Sequence, residues 1–110
     1  MGARMLRQEL ALGEGFLEER DGRLVAYLLR RREGGLQDIL RLGVHPSYRR
    51  QGLAAGLLRH ALQGPPTTIL TVQKDNLAAL RLYRGHGFEV AGHLHAAGAW
   101  VMRLTQTLEG

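Results

Sequence analysis

A chain of 110 residues, with 45% hydrophobic and 23% charged side chains, has the size and composition of one globular domain. With no cysteine it can form neither disulfides nor thiolate zinc sites nor a thiol nucleophile, and no stretch approaches the ~20 apolar residues of a membrane helix. The net charge of +5 rests on 14 arginines and one lysine, Lys74, a balance that attracts phosphorylated cofactors, acidic proteins or nucleic acid.

Residues 1–12 read as a frayed start or a short helix. The segment "GFLEERDGRLVAYLLRRREGG" reads as two strands around a tight turn at Arg20-Asp21-Gly22. The second of these, about Leu24 to Arg31, is apolar on both faces and is expected to be central. "LQDILRLGV" alternates, which puts Leu36, Asp38, Leu40, Leu42 and Val44 on one face and Gln37, Ile39, Arg41 and Gly43 on the other. From about Gln51 to Gln63 the apolar spacing turns helical, and Gly64-Pro65-Pro66 stops it. "TTILTV" is a short β-branched strand, Asn76 caps a second helix through about Arg84, and "FEVAGHL" and "AWVMRL" read as closing strands. The order β-β-β-α-β-α-β-β implies an α/β (α+β) fold: one domain over residues 1–110 with a mixed, mostly antiparallel central sheet and flanking helices.

Chemistry concentrates in "HPSYRRQGLAAGLLRHAL", residues 45–62, where a basic turn opens a helix. The first turn of a helix presents unpaired N–H groups and the positive end of its dipole. Gly52 and Ala54 let an anion approach those donors closely, while Arg49, Arg50 and Gln51 add charge and donors. Such a turn can cradle a diphosphate. It can also be a plain strand-to-helix turn with two solvated arginines. The arginines are otherwise scattered, and the six aromatic residues form no base-stacking platform, so neither a nucleic-acid nor a membrane partner is expected. His93-x-His95 puts two imidazoles on one strand face, but nothing nearby completes a metal site convincingly, and no metal is expected.

The spacing is more particular than the composition. Arg49-x-x-Gly52-x-Ala54, after Val44-His45-Pro46-Ser47-Tyr48, resembles the diphosphate loop of the GNAT superfamily of N-acetyltransferases. "NLAALRLYRGHGF", Asn76 to Phe88, is similar to that family's second cofactor element, with Ala79, Leu82, Tyr83, Gly87 and Phe88 in place. The resemblance implies acetyl-CoA as cofactor, with the diphosphate on Arg49, Arg50, Gln51, Gly52, Leu53 and Ala54. It implies that the third and fourth predicted strands splay, so that backbone at Leu42, Gly43 and Val44 binds the pantetheine amides. Asn76 and Tyr83 would then face the thioester, and Arg81 or Arg84 would reach the ribose phosphate. Tyr83 falls where the family places its general acid, and Asp38 where some relatives carry a base. Asp38 acting through a water, or a water relay without a dedicated base, are both open.

The implied activity is acetyl transfer to a primary amine, on a small molecule or on a protein or peptide, in the cytoplasm. A non-catalytic acetyl-CoA-binding regulator is the alternative. Members of the family usually carry a strand and two helices before the hairpin, which here starts near Gly15. An open acceptor cleft is therefore expected, and a homodimer through the final strands or the N-terminal segment.

Overall fold

Asp21 and Gly22 both take positive φ, 54° and 76°, the geometry of a two-residue hairpin turn whose twist matches that of its strands. The turn joins β2 (Gly13–Arg20) to β3 (Arg23–Glu33), paired from Arg20↔Arg23 outward. The computed structural model describes residues 3–10, as backbone, and 13–106. Residues 3–10 are β1 (Ala3–Leu10), antiparallel to β2 from Ala3↔Arg20 to Leu10↔Gly13. This corrects the expected frayed start or short helix, because pairing along β2 decides the conformation of a segment without clear periodicity. The strand that the resemblance implies before the hairpin is therefore present, and among the described residues no helix separates it from the hairpin.

Further on come β4 (Leu36–Val44), α1 (Leu53–Ala61), β5 (Thr67–Gln73), α2 (Leu77–Gly85), β6 (Glu89–Leu94) and β7 (Ala99–Thr105). The described strands form one seven-stranded sheet in the order β1-β2-β3-β4-β5-β7-β6. All neighbours are antiparallel except β4 and β5. β3, expected to be central, is an inner strand between β2 and β4, and β4 takes the middle place.

One face of the sheet carries both helices. Leu53, Leu57, Leu58 and Ala61 of α1 are buried against Phe16, Leu28, Ile39, Leu70 and Met102, and Tyr83 and Phe88 complete the same cluster. A polar network sits inside it. The fully buried Gln37 donates from Nε2 to Ala61 O and Thr68 Oγ1, both at 3.0 Å, and its Oε1 accepts from Arg30 Nη1 at 2.9 Å. Arg30 also reaches Glu14 Oε1 at 3.4 Å and lies 4.5 Å over the Phe16 ring. A carbonyl at the end of α1 with no intrahelical partner is thereby satisfied, and the helix is held at its C-terminus. The alternation expected for "LQDILRLGV" marked neither the burial of Gln37 nor that of Arg30.

β4 departs from simple alternation. Its register with β3 runs Arg31↔Asp38, Arg30↔Ile39, then Leu29↔Arg41 and Leu28↔Leu42, which leaves Leu40 as the extra residue of a bulge. Gln37, Ile39, Leu42 and Val44 thus share the helix-bearing face, and Asp38, Arg41 and Gly43 share the other. The expected grouping of Asp38 with Leu42 and Val44 is corrected: one inserted residue exchanges the faces of everything beyond it. Among the described residues no helix covers that second face, where Leu17, Tyr27, Leu29, Ile69 and Val101 are half-buried.

Candidate functional site

β4 and β5 pair only from Leu36↔Thr67 to Ile39↔Leu70. Past Ile39 no described strand lies beside the edge of β4 turned away from β3, so the segment from Leu40 to Val44 borders a gap in the sheet. The splay implied by the resemblance is present at Leu42, Gly43 and Val44.

At the end of β4, His45 begins a one-turn 3-10 segment, Pro46–Tyr48, its Nδ1 accepting from Ser47 N at 3.1 Å. Arg49 is extended, Arg50 takes φ 64° and Gly52 φ 76°. The left-handed residue at 52, followed by the right-handed turn of α1, makes successive N–H groups converge. The first intrahelical bond runs from Gly56 N to Gly52 O at 3.0 Å, and no side chain caps this helix. The N–H groups of Leu53, Ala54 and Ala55 are therefore free for an anion. Arg49 and Arg50 are exposed and carry no ion pair among the described residues. A Cβ built on Gly52 meets nothing within 4 Å, so its positive φ, not crowding, is what calls for glycine there.

α2 forms the facing wall. Asn76 Oδ1 accepts from Ala79 N at 3.2 Å and caps it, as its sequence position implies. Two turns later the Tyr83 ring is buried, edge-on to Phe88 with centroids 5.7 Å apart. Burial pushes its phenol above the usual 10.

Between these walls lies a cleft of about 670 Å³, in the size range of small-molecule sites. Of the residues expected to hold a cofactor, Leu42, Val44, Arg49, Arg50, Gly52, Leu53, Ala54, Asn76 and Tyr83 line it. Gly43 and Gln51 do not. Gly43 turns to the opposite face beneath Tyr27, and the Gln51 side chain accepts a hydrogen bond from Arg20 Nη1 on the β2–β3 hairpin. Arg81 and Arg84 are exposed on α2, outside the lining.

Asp38 also lies outside the cleft, on the helix-free face, with Oδ2 3.7 Å from Arg31 Nη2. Tyr83, in the cleft on the helix-bearing side, and Asp38, beside the last β4–β5 pair, thus stand on opposite sides of the sheet. Tyr48, Ala55, Ala78, Ala79 and Leu82 line the cleft although none was singled out as a binding residue. The lead-in Val44-x-Pro46-x-Tyr48 and the helical spacing of Ala79 with Tyr83 were signals that could have found Tyr48 and Ala79.

The two candidate metal-binding histidines do not share a strand. His93 is on β6, and His95 opens a one-turn 3-10 segment, their ring centroids 3.7 Å apart and His93 also 4.9 Å from Trp100. Among the described residues no group of three or more His, Cys, Asp or Glu is placed to hold a metal, and no helix is long and apolar enough to cross a membrane.

Comparison with known proteins agrees with this geometry. Mycothiol acetyltransferase of Streptomyces avermitilis is 39% identical over 80 residues, covering 66% of this chain and 26% of that protein. The chain thus spans about a quarter of the length of the curated relatives it matches. The ribosomal-protein-S18-alanine N-acetyltransferase of Escherichia coli superposes with a TM-score of 0.75 at 26% identity, over 100% of this chain and 74% of that one. PaiA N-acetyltransferase of Thermoplasma acidophilum, solved with coenzyme A, gives 0.75 at 20% identity over 83% of this chain and 59% of that one. Residues 4–88 match the acetyltransferase (GNAT) family. With its sheet parted at β4 and its helix start left uncapped, the chain belongs to the acetyltransferase (GNAT) family.

Proposed function

We propose that this chain is an acetyl-CoA-dependent N-acetyltransferase that acts on a primary amine. The observation that carries the reading is the cleft at the parting of β4 and β5, closed at one end by the uncapped first turn of α1. Its donor set suits the cofactor: convergent N–H groups and two exposed arginines for a diphosphate, then a strand edge for amides, which bind such edges as an added strand does. The coenzyme A complex of the PaiA relative supports the same choice.

When bound, acetyl-CoA supplies a thioester that a neutral amine opens to give an amide and a free thiol. The protein's task is to hold the reactants in line and to manage two protons. In this reading Tyr83 donates from Oη to the departing sulfur. Its raised pKa keeps it protonated throughout the neutral range. Phe88, edge-on to the ring, restricts how far it can turn. Asp38, on the far side of the sheet, takes the amine's proton through a water, since its side chain is short and Arg31 stands beside it.

The acceptor side is open, because β1 pairs directly with β2 and no helix stands between them. That feature also favours the alternative, a non-catalytic acetyl-CoA-binding module. The reading includes a homodimer joined through the outermost strands, β1 or β6. A sedimentation measurement that gives a monomer at micromolar concentration removes it. The function itself is tested by calorimetric titration with acetyl-CoA, together with release of free thiol across a panel of amines. Saturable binding with thiol release is expected. Binding without release with any amine selects the regulatory alternative, and absence of binding ends both.

A further inference from the structure

The bulge at Leu40 has a chemical consequence. Without it, Asp38 and Arg41, an odd number of residues apart, would point to opposite faces. With it they share the helix-free face, opposite Arg31 and Leu29, which are two positions apart on β3. The spacing between them is therefore about 7 Å along the strand. The bulge sets a carboxylate and a guanidinium side by side where β4 leaves β5.

The two are not spent on each other. Asp38 is approached by Arg31, whereas the exposed Arg41 has no ion pair or hydrogen bond among the described residues. Beyond Arg41 on the same face, the Tyr27 ring lies flat on β4 at Gly43, so close that a Cβ there would stand 2.5 Å from Tyr27 Cε1. The Tyr27 hydroxyl likewise has no hydrogen-bond partner among the described residues. Across the gap, Thr71 and Gln73 of β5 are exposed and share this face with Ile69, which pairs with Asp38. From Leu40 to Val44, and from Thr71 to Gln73, there is no acidic side chain. The mouth of the gap thus offers an anion at one end and an unpartnered cation with neutral donors at the other.

Resting on the function proposed above, we infer that the acceptor is an amine that itself carries a carboxylate. The amine is drawn to Asp38 at the end of the β4–β5 pairing, and the carboxylate is bound by Arg41 with the Tyr27 hydroxyl. Guanidinium and carboxylate match as paired donors and acceptors, and an amine tethered to a held carboxylate loses most of its freedom to miss the gap. A free amino acid and a peptide with an acidic side chain near its N-terminus share this chemistry.

The test compares acceptors that differ by one charge: glycine with glycinamide, and an Ala-Asp-Ala peptide amide with its Ala-Asn-Ala counterpart. Thiol release gives KM and kcat for each. Calorimetric titration of each acid member into protein saturated with coenzyme A gives its Kd without turnover. For the parent chain the acid member of at least one pair is expected to have a KM about tenfold lower than its neutral partner, the scale of a hydrogen-bonded ion pair. Which pair responds distinguishes the free amino acid from the peptide. Arg41→Gln is expected to bring the ratio within about twofold and to weaken Kd in parallel, and Arg41→Lys to restore part of both.

Equal KM values within both pairs overturn the inference, and so does a ratio that survives Arg41→Gln. Acetyl-CoA binding without thiol release from any of the four overturns it while leaving the cofactor assignment standing. Absence of acetyl-CoA binding removes the proposed function and this inference with it.

Discussion

Replacing Gly52 by alanine and by glutamate separates backbone strain from charge in the diphosphate loop. A Cβ at this position meets no atom within 4 Å, so Gly52→Ala brings no collision in the free protein. It brings only the left-handed backbone, φ 76°, at a cost of about 1–2 kcal/mol. Gly52→Glu carries the same strain and adds a carboxylate beside the open N–H groups of Leu53, Ala54 and Ala55. At an effective dielectric of about 40 and a separation of about 6 Å, each pair of like charges costs about 1.4 kcal/mol. That is about tenfold in Kd per phosphoryl charge, or about a hundredfold for two. Calorimetry with acetyl-CoA should place Gly52→Ala within about tenfold of the parent, and Gly52→Glu about a hundredfold below Gly52→Ala. The gap between the variants should narrow in about 0.5 M salt, where screening shortens to a few ångströms. Equal Kd values for alanine and glutamate would refute the reasoning, since a bound diphosphate beside residue 52 must register a carboxylate.

Tyr83→Phe should lower kcat about a hundredfold, the scale of general-acid assistance, and leave acetyl-CoA Kd within about twofold; full activity removes Tyr83 from the chemistry. Because burial raises the Tyr83 pKa, the unfolded chain loses this proton first as pH climbs past 10. The phenol's contribution to stability is therefore complete below pH 10 and lost above it, so thermal melts of the parent should fall more steeply there than those of Tyr83→Phe. Parallel curves count against a buried phenol. Gln37→Leu keeps the volume but removes one hydrogen bond each from Ala61 O, Thr68 Oγ1 and Arg30 Nη1. A loss of about 2–4 kcal/mol is expected, and a melting temperature lower by about 10 °C or more; a drop under about 3 °C contradicts the network. Gly43→Ala forces the Tyr27 ring aside and should cost about 1–3 kcal/mol. In a Tyr27→Ala background that cost should nearly vanish, and a double-mutant cycle without coupling rejects the contact.

Local chemistry was legible wherever a residue's role depends on its near neighbours. Asp21-Gly22 make a tight hairpin because both tolerate positive φ, Asn76 caps α2 through its own side chain, and Gly52 opens α1 because no other residue takes φ 76° so cheaply. The two spaced motifs went further, since the resemblance they carry implies one cofactor held between the loop before α1 and the tyrosine on α2. Nine of the eleven residues named as cofactor contacts line it.

Tertiary structure decided what depends on partners far away in the chain. Residues 3–10 are a strand because β2 offers an edge, not because of their own pattern. β7 lies between β5 and β6, an order that alternating hydrophobicity does not encode. Gln37 and Arg30 are buried because the end of α1 supplies a carbonyl for them, some 24 and 31 residues away. The bulge at Leu40 is the most consequential case. One residue without a partner on β3 reverses the faces of β4, so Leu42 and Val44 line the cleft while Asp38 and Arg41 look out from the other side. A strict period of two read along a single strand contains no trace of that insertion, because a bulge is a property of the pair.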